Sequence, residues 1–586
     1  MTHIAADALT SALALHQAGQ LPQAEAAYRR ILAQNPSHPD ACHLLGALCL
    51  QSGRAGEAVE LISRAIDTNP ANPDYYNHLG AAYGALAEHD QAVSVLRRAV
   101  QIAPQSDSAH YNLGTALRNQ DKLDEAVASF RHAIAANPAN AMAHYNLANT
   151  LRDLDRLEES EASYRAALAA RPKYLKAMIN LGAVVRDLGR IEEAAEILSA
   201  AVAIDPQYPN AHLNLGTTLR DAGQYAEAVA CFHRALAIQP DSAEAHNNLG
   251  TALQAQGRLT EAAACYQQAL RCDPQAADAH FNLGTHRLRQ GDLEAGFPEY
   301  EWRWKFKKFS NRQFDQPRWD GSPLEGRTIL LHAEQGLGDT LQFVRHADAV
   351  KSRGATVLVE CQAPLLKILA RCPGIDRLIA AGSPLPSFDV QAPLLSLPGI
   401  MKLSLNDMFS GPYLFADPAL VESWRAVLAG YSGFRVGICW QGNPKFLFDR
   451  QRSFSVRRFA PLAKIDGVRL VNLQKGAGAE QIADNEGLEI IDLGTNLDEG
   501  AGPFMDTAAV MTNLDLVVTS DTAVAHLAGA LGVPVWVAIG VNSDWRWLAD
   551  RDDSPWYPSM RLFRQGRPDD WDEVFLRIEQ ELAAII

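Results

Sequence analysis

Small residues recur every 34 positions, without a slip, along the first half of this chain: Gly46, Gly80, Gly114, Ala148, Gly182, Gly216, Gly250 and Gly284. Two more columns keep the same period. One is Pro36, Pro70, Pro104, Pro138, Pro172, Pro206, Pro240 and Pro274; the other is Ala24, Ala58, Ala92, Ala126, Ser160, Ala194, Ala228 and Ala262. A small residue lets two helices approach closely, and a proline stops a helix because its ring removes a backbone donor. Each unit therefore reads as helix, tight turn, helix, stop. Such a hairpin cannot bury its own apolar face, so neighbours must stack into a solenoid with a concave groove.

This pattern, with Tyr28, Phe130, Tyr164, Phe232, Tyr266 and Tyr300 at its large position, resembles the tetratricopeptide repeat from about Thr10 to Tyr300. Two residues before the small position stand Asn112, Asn146, Asn180, Asn214, Asn248 and Asn282. A column of amides offers donors and acceptors that can grip the backbone of an extended peptide, or it can bond a neighbouring loop. The strings YNLG, LNLG, NNLG and FNLG resemble those in the repeats of nucleocytoplasmic protein O-GlcNAc transferases, and that likeness implies peptide binding by the asparagines. A second column, His110, His144, His212, His246 and His280, does not suit a metal. Packed helix axes lie roughly 8–10 Å apart, whereas all ligands must reach one ion at about 2 Å.

A chain of 586 residues is too long for a single core, and the repeats leave about half of it for something else. The formal net charge of −15 argues against a general binder of nucleic acid or anionic membrane. The cysteines show no C-x-x-C spacing and read as reduced packing residues. No basic segment precedes an apolar run near Asp7, and no apolar stretch approaches the roughly 18 residues of a membrane span, so the expected location is the cytoplasm.

The register fails after Tyr300. The segment 301–324 carries Trp302, Trp304, Phe306, Phe309, Phe314 and Trp319 among Arg303, Lys305, Lys307, Lys308, Arg312 and Arg318. Aromatics interleaved with bases suit single-stranded nucleic acid, but in an acidic chain they fit better a capping helix and linker glued to the next domain. The string EYEWRWKFKKF also resembles the junction of bacterial proteins in which such repeats precede a glycosyltransferase-like domain.

From Arg327 onward, short apolar runs alternate with amphipathic segments: Thr328–His332, Ala355–Glu360, Arg435–Trp440, Val468–Leu473, Glu489–Ile491, Leu514–Thr519 and Val533–Ile539. Strands separated by helices predict parallel sheets with crossovers. The two series divide near 412–434, giving two α/β lobes at 325–432 and 433–586 after a solenoid at 1–300. Ligands of open parallel sheets sit at the carboxyl ends of strands. One such loop, Glu334-Gln335-Gly336-Leu337-Gly338-Asp339, puts a carboxylate where it can take a proton from a hydroxyl or cap a helix. Another, Ser520-Asp521-Thr522-Ala523, opens a helix that carries His526 one turn on and can hold a diphosphate on its dipole. Gly442 and Arg452 follow a third strand and Gln474 a fourth, with Lys445 a competing cation. Trp545, Trp547, Trp556 and Tyr557 either wall a pocket or pack. Asp550 and Asp552 have D-x-D spacing but no strand ahead of them, and read as solvated charges.

G-L-G-D before an apolar helix, and S-D-T-A-V-A-H-L-A-G-A-L-G before V-P-V-W-V, resemble the two signatures of heptosyltransferase-like enzymes of the GT-B type (glycosyltransferase family 9-like), over roughly 327–586. The resemblance implies two Rossmann-like lobes. Asp339 matches the catalytic base; Asp521, Thr522, Ala523 and His526 match the donor loop; Arg452, Gly442 and Gln474 fall on the donor side. Where that family commonly has Gly, Ala523 adds a methyl. The resulting expectation is an inverting, metal-independent glycosyltransferase, moving a hexosyl or heptosyl group from a nucleotide sugar to a protein or peptide held by the repeats. No metal, no other cofactor and no nucleic acid are expected. The alternatives are a non-catalytic repeat scaffold with a degenerate transferase fold, and a transferase acting on a surface or lipid-linked glycan.

Overall fold

The computed structural model describes residues 2–306, 314–408, 411–445, 449–484, 487–494 and 497–586, with side chains from Ala8 onward. Two compact units emerge, 1–252 and 253–586.

In the first unit the 34-residue comb is a steric requirement. A Cβ at Gly46 would lie 2.5 Å from Ile62, at Gly80 2.4 Å from Leu96, at Gly114 2.8 Å from Phe130, at Gly182 2.5 Å from Leu198, and at Gly216 2.7 Å from Phe232. The small residue of each first helix thus seats the large residue of the second. The comb prolines lie in the turns between units, as Pro36 does between Leu21–Gln34 and Pro39–Gln51. The fifth unit, Ala141–Asp153 with Leu157–Ala170, departs from the pattern at Ala148 and Ser160. It settles both by hydrogen bonds: Ser160 donates to the Ala148 carbonyl (2.7 Å), and Tyr164 donates to Asn149 (2.5 Å).

The histidine column proves structural here. The Nε2 atoms of His110, His144 and His212 pair with the carbonyls of Pro104, Pro138 and Pro206 at 3.0, 3.1 and 2.9 Å, and His246 pairs with Pro240 at 3.0 Å. Each ring thereby ties a helix to the turn that leads into it.

The second unit begins with the remaining repeat helices, Leu259–Cys272, Ala277–Arg289 and Leu293–Tyr300. Where a capping helix is expected next, the described residues form a five-residue 3-10 turn, Glu301–Lys305. Its side chains explain why: Arg303 is fully buried, with its guanidinium on Glu301, Glu334 and Ser396 and over the rings of Tyr300 and Trp304. Trp302 stacks on His280. Arg303 and Arg318 are paired with carboxylates and so serve the junction. Lys307, Lys308, Phe309 and Arg312 lie outside the described residues.

Two parallel sheets follow. The first has strands β1 (Thr328–His332), β2 (Thr356–Cys361), β3 (Arg377–Ala380) and β4 (Val390–Pro393) in the order β3-β2-β1-β4. The second has β5 (Phe434–Cys439), β6 (Val468–Asn472), β7 (Ile490–Ile491), β8 (Leu516–Ser520), β9 (Val535–Ile539) and β10 (Met560–Arg564) in the order β10-β9-β8-β5-β6-β7. β1 and β8 are almost wholly buried, as strands covered on both faces must be. In each sheet the chain reverses its direction of strand addition once, between β1 and β4 and between β5 and β8. The loops leaving those four strands therefore open onto a crevice.

Candidate functional site

Asp339 lies in the first turn of the short helix Leu337–Phe343, after β1. One carboxylate oxygen accepts from the Gly336 amide at 2.7 Å, the capping role its position allows; the other pairs with Arg546. The side chains of Asp339 and Arg546 are only 16% and 6% exposed. Burial pushes the Asp339 carboxyl above its ordinary range against the pull of Arg546, which makes it a stronger base than a surface aspartate.

The loop after β8 meets this one directly. A Cβ on Gly338 would lie 2.7 Å from the His526 ring, so glycine is the residue that lets the helices after β1 and β8 touch. Burial pushes Asp521 up to about 6, aided by Asp544 and opposed by Arg452 and Arg546. His526 is driven well below the usual histidine range, first by burial and then by Arg546, Arg345 and Arg452. Its ring is neutral, stacked on Trp547 and bonded to the Tyr557 hydroxyl at 3.0 Å, so it can meet a ligand as a dipole, not as a cation. Thr522 precedes the helix Ala523–Leu531 in an extended conformation, and Ala523 is that helix's first residue.

Arg452 joins the third loop to the others. Its Nε donates to Asp449 (3.0 Å) and its Nη1 to the Asp521 carbonyl (3.0 Å). Gly442 sits against this pair: a Cβ there would come within 2.5 Å of Asp449 and 2.6 Å of the Arg452 guanidinium. Gln474 does different work. Its oxygen accepts from the amides of Trp440 and Gln441, both at 3.0 Å, and its nitrogen donates to the carbonyls of Gln441 (3.0 Å) and Ala477 (2.8 Å). It brackets two loops. Lys445 is exposed. Trp545, Trp547, Trp556 and Tyr557 are all buried packing residues.

Arg546 itself escaped sequence reasoning. It lies in the 3-10 turn Trp545–Trp547 after β9, donating to Asp544 at 2.7 Å as well as to Asp339. A lone arginine between two tryptophans, with an aspartate two residues earlier, is the signal that could have found it.

The asparagine column is half-buried throughout. In the first unit its amides reach the preceding repeat: Asn112 donates to Asn77 (2.7 Å), Asn146 to the Tyr111 hydroxyl (2.9 Å), and Asn180 to the Tyr145 hydroxyl (3.3 Å) and Asn149 (3.0 Å). Among the described residues, the Asn214 amide donates back along its own helix, to the Asn210 carbonyl at 2.9 Å. Asn248, and Asn282 in the second unit, occupy the same position of their helices. His43 and His78 form an equivalent rung, with ring nitrogens 2.7 Å apart.

Tetratricopeptide-repeat family models match residues 77–141, 111–174, 145–209, 213–277 and 249–301, and another matches 15–82. Residues 15–301 are tetratricopeptide repeats. Protein FlbA of Caulobacter vibrioides (strain ATCC 19089 / CIP 103742 / CB 15) is 30% identical over 318 residues, 49% of this chain and 52% of that protein, so the chain spans about half the length of this relative. Among solved structures, YrrB, described as a tetratricopeptide protein with an unusual peptide-binding site, is 21% identical over 32% of this chain and 96% of its own, with a TM-score of 0.28. The Cut9–Hcn1 hetero-tetramer of the APC/C is 17% identical over 48% and 55%, with a TM-score of 0.36. PilF of Pseudomonas aeruginosa is 22% identical over 36% and 96%, with a TM-score of 0.32. Among the described residues no helix is long and apolar enough to cross a membrane.

Proposed function

We propose that the second unit is a cytoplasmic glycosyltransferase of two Rossmann-like lobes, and that the repeats present its acceptor, a protein or peptide. One observation carries the reading: the segments leaving the carboxyl ends of β1, β5, β8 and β9, in two different parallel sheets, bring the half-buried Asp339, Arg452 and Asp521 and the buried Arg546 into one cluster. Counted from β5, the second sheet has the order 3-2-1-4-5-6, that of doubly wound nucleotide-binding folds, and Gly442, Arg452 and Thr522 sit at its switch point. The likeness of G-L-G-D and S-D-T-A to heptosyltransferase signatures supports the same assignment.

In this reading the donor diphosphate lies between the helix Ala523–Leu531 and the guanidiniums of Arg452 and Arg546, which offset the charge that grows on it as it leaves. Asp339 accepts the proton of the acceptor hydroxyl. The hydroxyl oxygen forms the new bond to the anomeric carbon while the bond to the diphosphate breaks, giving inversion and requiring no metal. A loop residue with a carboxylate raised by burial suits this task better than a surface aspartate.

The test is Asp339→Asn. A general base contributes about 10²- to 10⁴-fold, so donor turnover, read as nucleoside diphosphate released, should fall at least about 100-fold while donor affinity does not weaken. Full turnover in the variant would remove Asp339 from the mechanism. Absence of any turnover or donor binding in the native chain would leave the repeat scaffold as the function.

A further inference from the structure

We propose that Arg546 is an exchangeable counter-ion: it pairs with Asp339 while the cleft lacks donor, and passes to the donor diphosphate when a nucleotide sugar enters, leaving Asp339 free to accept a proton. This rests on the transferase reading above and assigns a positioning role that the signatures do not reach.

The charge inventory of the cluster motivates it. Asp339, Asp521 and Asp544 face Arg546 and Arg452, and the carboxylates already outnumber the guanidiniums before a diphosphate arrives. Arg452 is held by the Asp449 carboxylate and the Asp521 carbonyl. Arg546 is held by Asp339 and Asp544, yet among the described residues its buried Nε meets no hydrogen-bond partner. An unmet buried donor costs the desolvation of that group, and more so on a charged one, so the donor-free arrangement leaves this guanidinium a better one to adopt. A diphosphate oxygen supplies it, because guanidinium binds phosphate bidentately. While Arg546 stays on Asp339, the carboxylate is stabilised in its ionised form and is a poorer proton acceptor. Moving it to the diphosphate couples base strength to donor occupancy.

The backbone around Arg546 is anchored, so the exchange is one of side chain. Arg289, at the end of the last full repeat's first helix, donates to the Val541 carbonyl (2.8 Å) and accepts at its own carbonyl from the Ala549 amide (2.7 Å). Arg564 donates to the carbonyls of Trp547 and Arg551. Trp545 lies edge-on to Phe297 and Tyr300 of the last repeat helix. Leu548 is held at φ +55°, a conformation rare for leucine, which these contacts sustain. Asp544, two residues before Arg546, can stay paired while Asp339 is released.

The experiment is a pair of crystal structures of the full chain, one without nucleotide and one with whichever of UDP, GDP or ADP binds. The proposal expects Arg546 on Asp339 in the first, and in the second a guanidinium on a phosphate oxygen with Asp339 unpaired. In solution, Arg546→Met should weaken binding of the same nucleoside diphosphate at least about tenfold and Arg546→Lys less, since lysine keeps the charge without the fork. A nucleotide complex with the Arg546–Asp339 pair intact, or an Arg546→Met variant that binds as well as the native chain, overturns the exchange and leaves the transferase reading standing. If none of the three nucleotides binds, both fall together.

Discussion

The same substitution made twice in the first unit should act in opposite directions. Gly182→Ala puts a methyl 2.5 Å from Leu198 Cγ and 2.8 and 3.0 Å from its two methyls. Ordinary carbon contacts begin near 3.4 Å, so Leu198 must retreat by the better part of an ångström. It is fully buried, and the obstructing atoms are its branch point and both ends, so no rotation of a free tip relieves the clash. Overpacking of this kind costs about 1–3 kcal/mol. Against it stands the helix-propensity gain of alanine over glycine, about 1 kcal/mol. Gly84 lies in the helix Pro73–Ala85 with nothing within 4 Å of its absent Cβ, so Gly84→Ala keeps the gain and escapes the cost. Stacked repeats unfold with nearest-neighbour coupling and not strictly in two states, so the comparison is made between variants under one protocol, by urea denaturation followed by circular dichroism. The expected result is a raised midpoint for Gly84→Ala and a lowered or unchanged one for Gly182→Ala, with the two separated by about 1–3 kcal/mol. A Gly182→Ala variant stabilised as much as Gly84→Ala would refute the argument that the comb is steric.

Three further outcomes are expected. The first unit should lose stability on acidification through the His43–His78 rung: burial, then the neighbouring His78, hold His43 down to about 4 in the fold, so the unfolded chain binds the extra proton as the pH falls below its ordinary 6.5. The loss between pH 6.5 and 4 is on the order of 3 kcal/mol, and His43→Gln should flatten it in pH-dependent denaturation. Asn180→Ala removes two bonds to the preceding repeat and should cost about 1–2 kcal/mol of stability, whereas Asn214→Ala, which loses a bond within its own helix, should cost under about 0.5. Asn214→Ala is therefore the cleaner probe of acceptor binding: a raised KM for a protein acceptor with unchanged stability is the expected result, and an unchanged KM would count against the amide column as a peptide grip.

The repeats were legible because a steric rule recurs: the Gly80–Leu96 contact reappears as Gly182–Leu198, and a period of 34 reports it many times over. The strands of the second half were legible where apolar runs were long, and β1 was bounded correctly at both ends. β3 and β4 escaped because they are short, β3 starting on Arg377 and β4 ending in Pro393, and β10, as long as β1, escaped because Arg561 and Arg564 interrupt its apolar run. At the site, spacing located the loops but not what their side chains touch. Asp339 and Asp521 announce themselves as carboxylates after strands. The partner of Asp339 lies 207 residues downstream, and no local pattern pairs two such positions. Gln474 shows the converse: a polar residue at a strand end suggests a ligand contact, and its amide bonds the backbone of two loops and the Cys439 thiol.

The central claim is that the second unit binds a nucleotide sugar between its two sheets. Calorimetric titration of the full chain with uridine, guanosine and adenosine diphosphate sugars tests it most directly. The account predicts micromolar binding of one donor, weakened at least about tenfold by Arg452→Ala, which removes a charge-assisted phosphate contact. Heat-silent titrations across the panel would contradict it and assign the chain's work to the repeats alone.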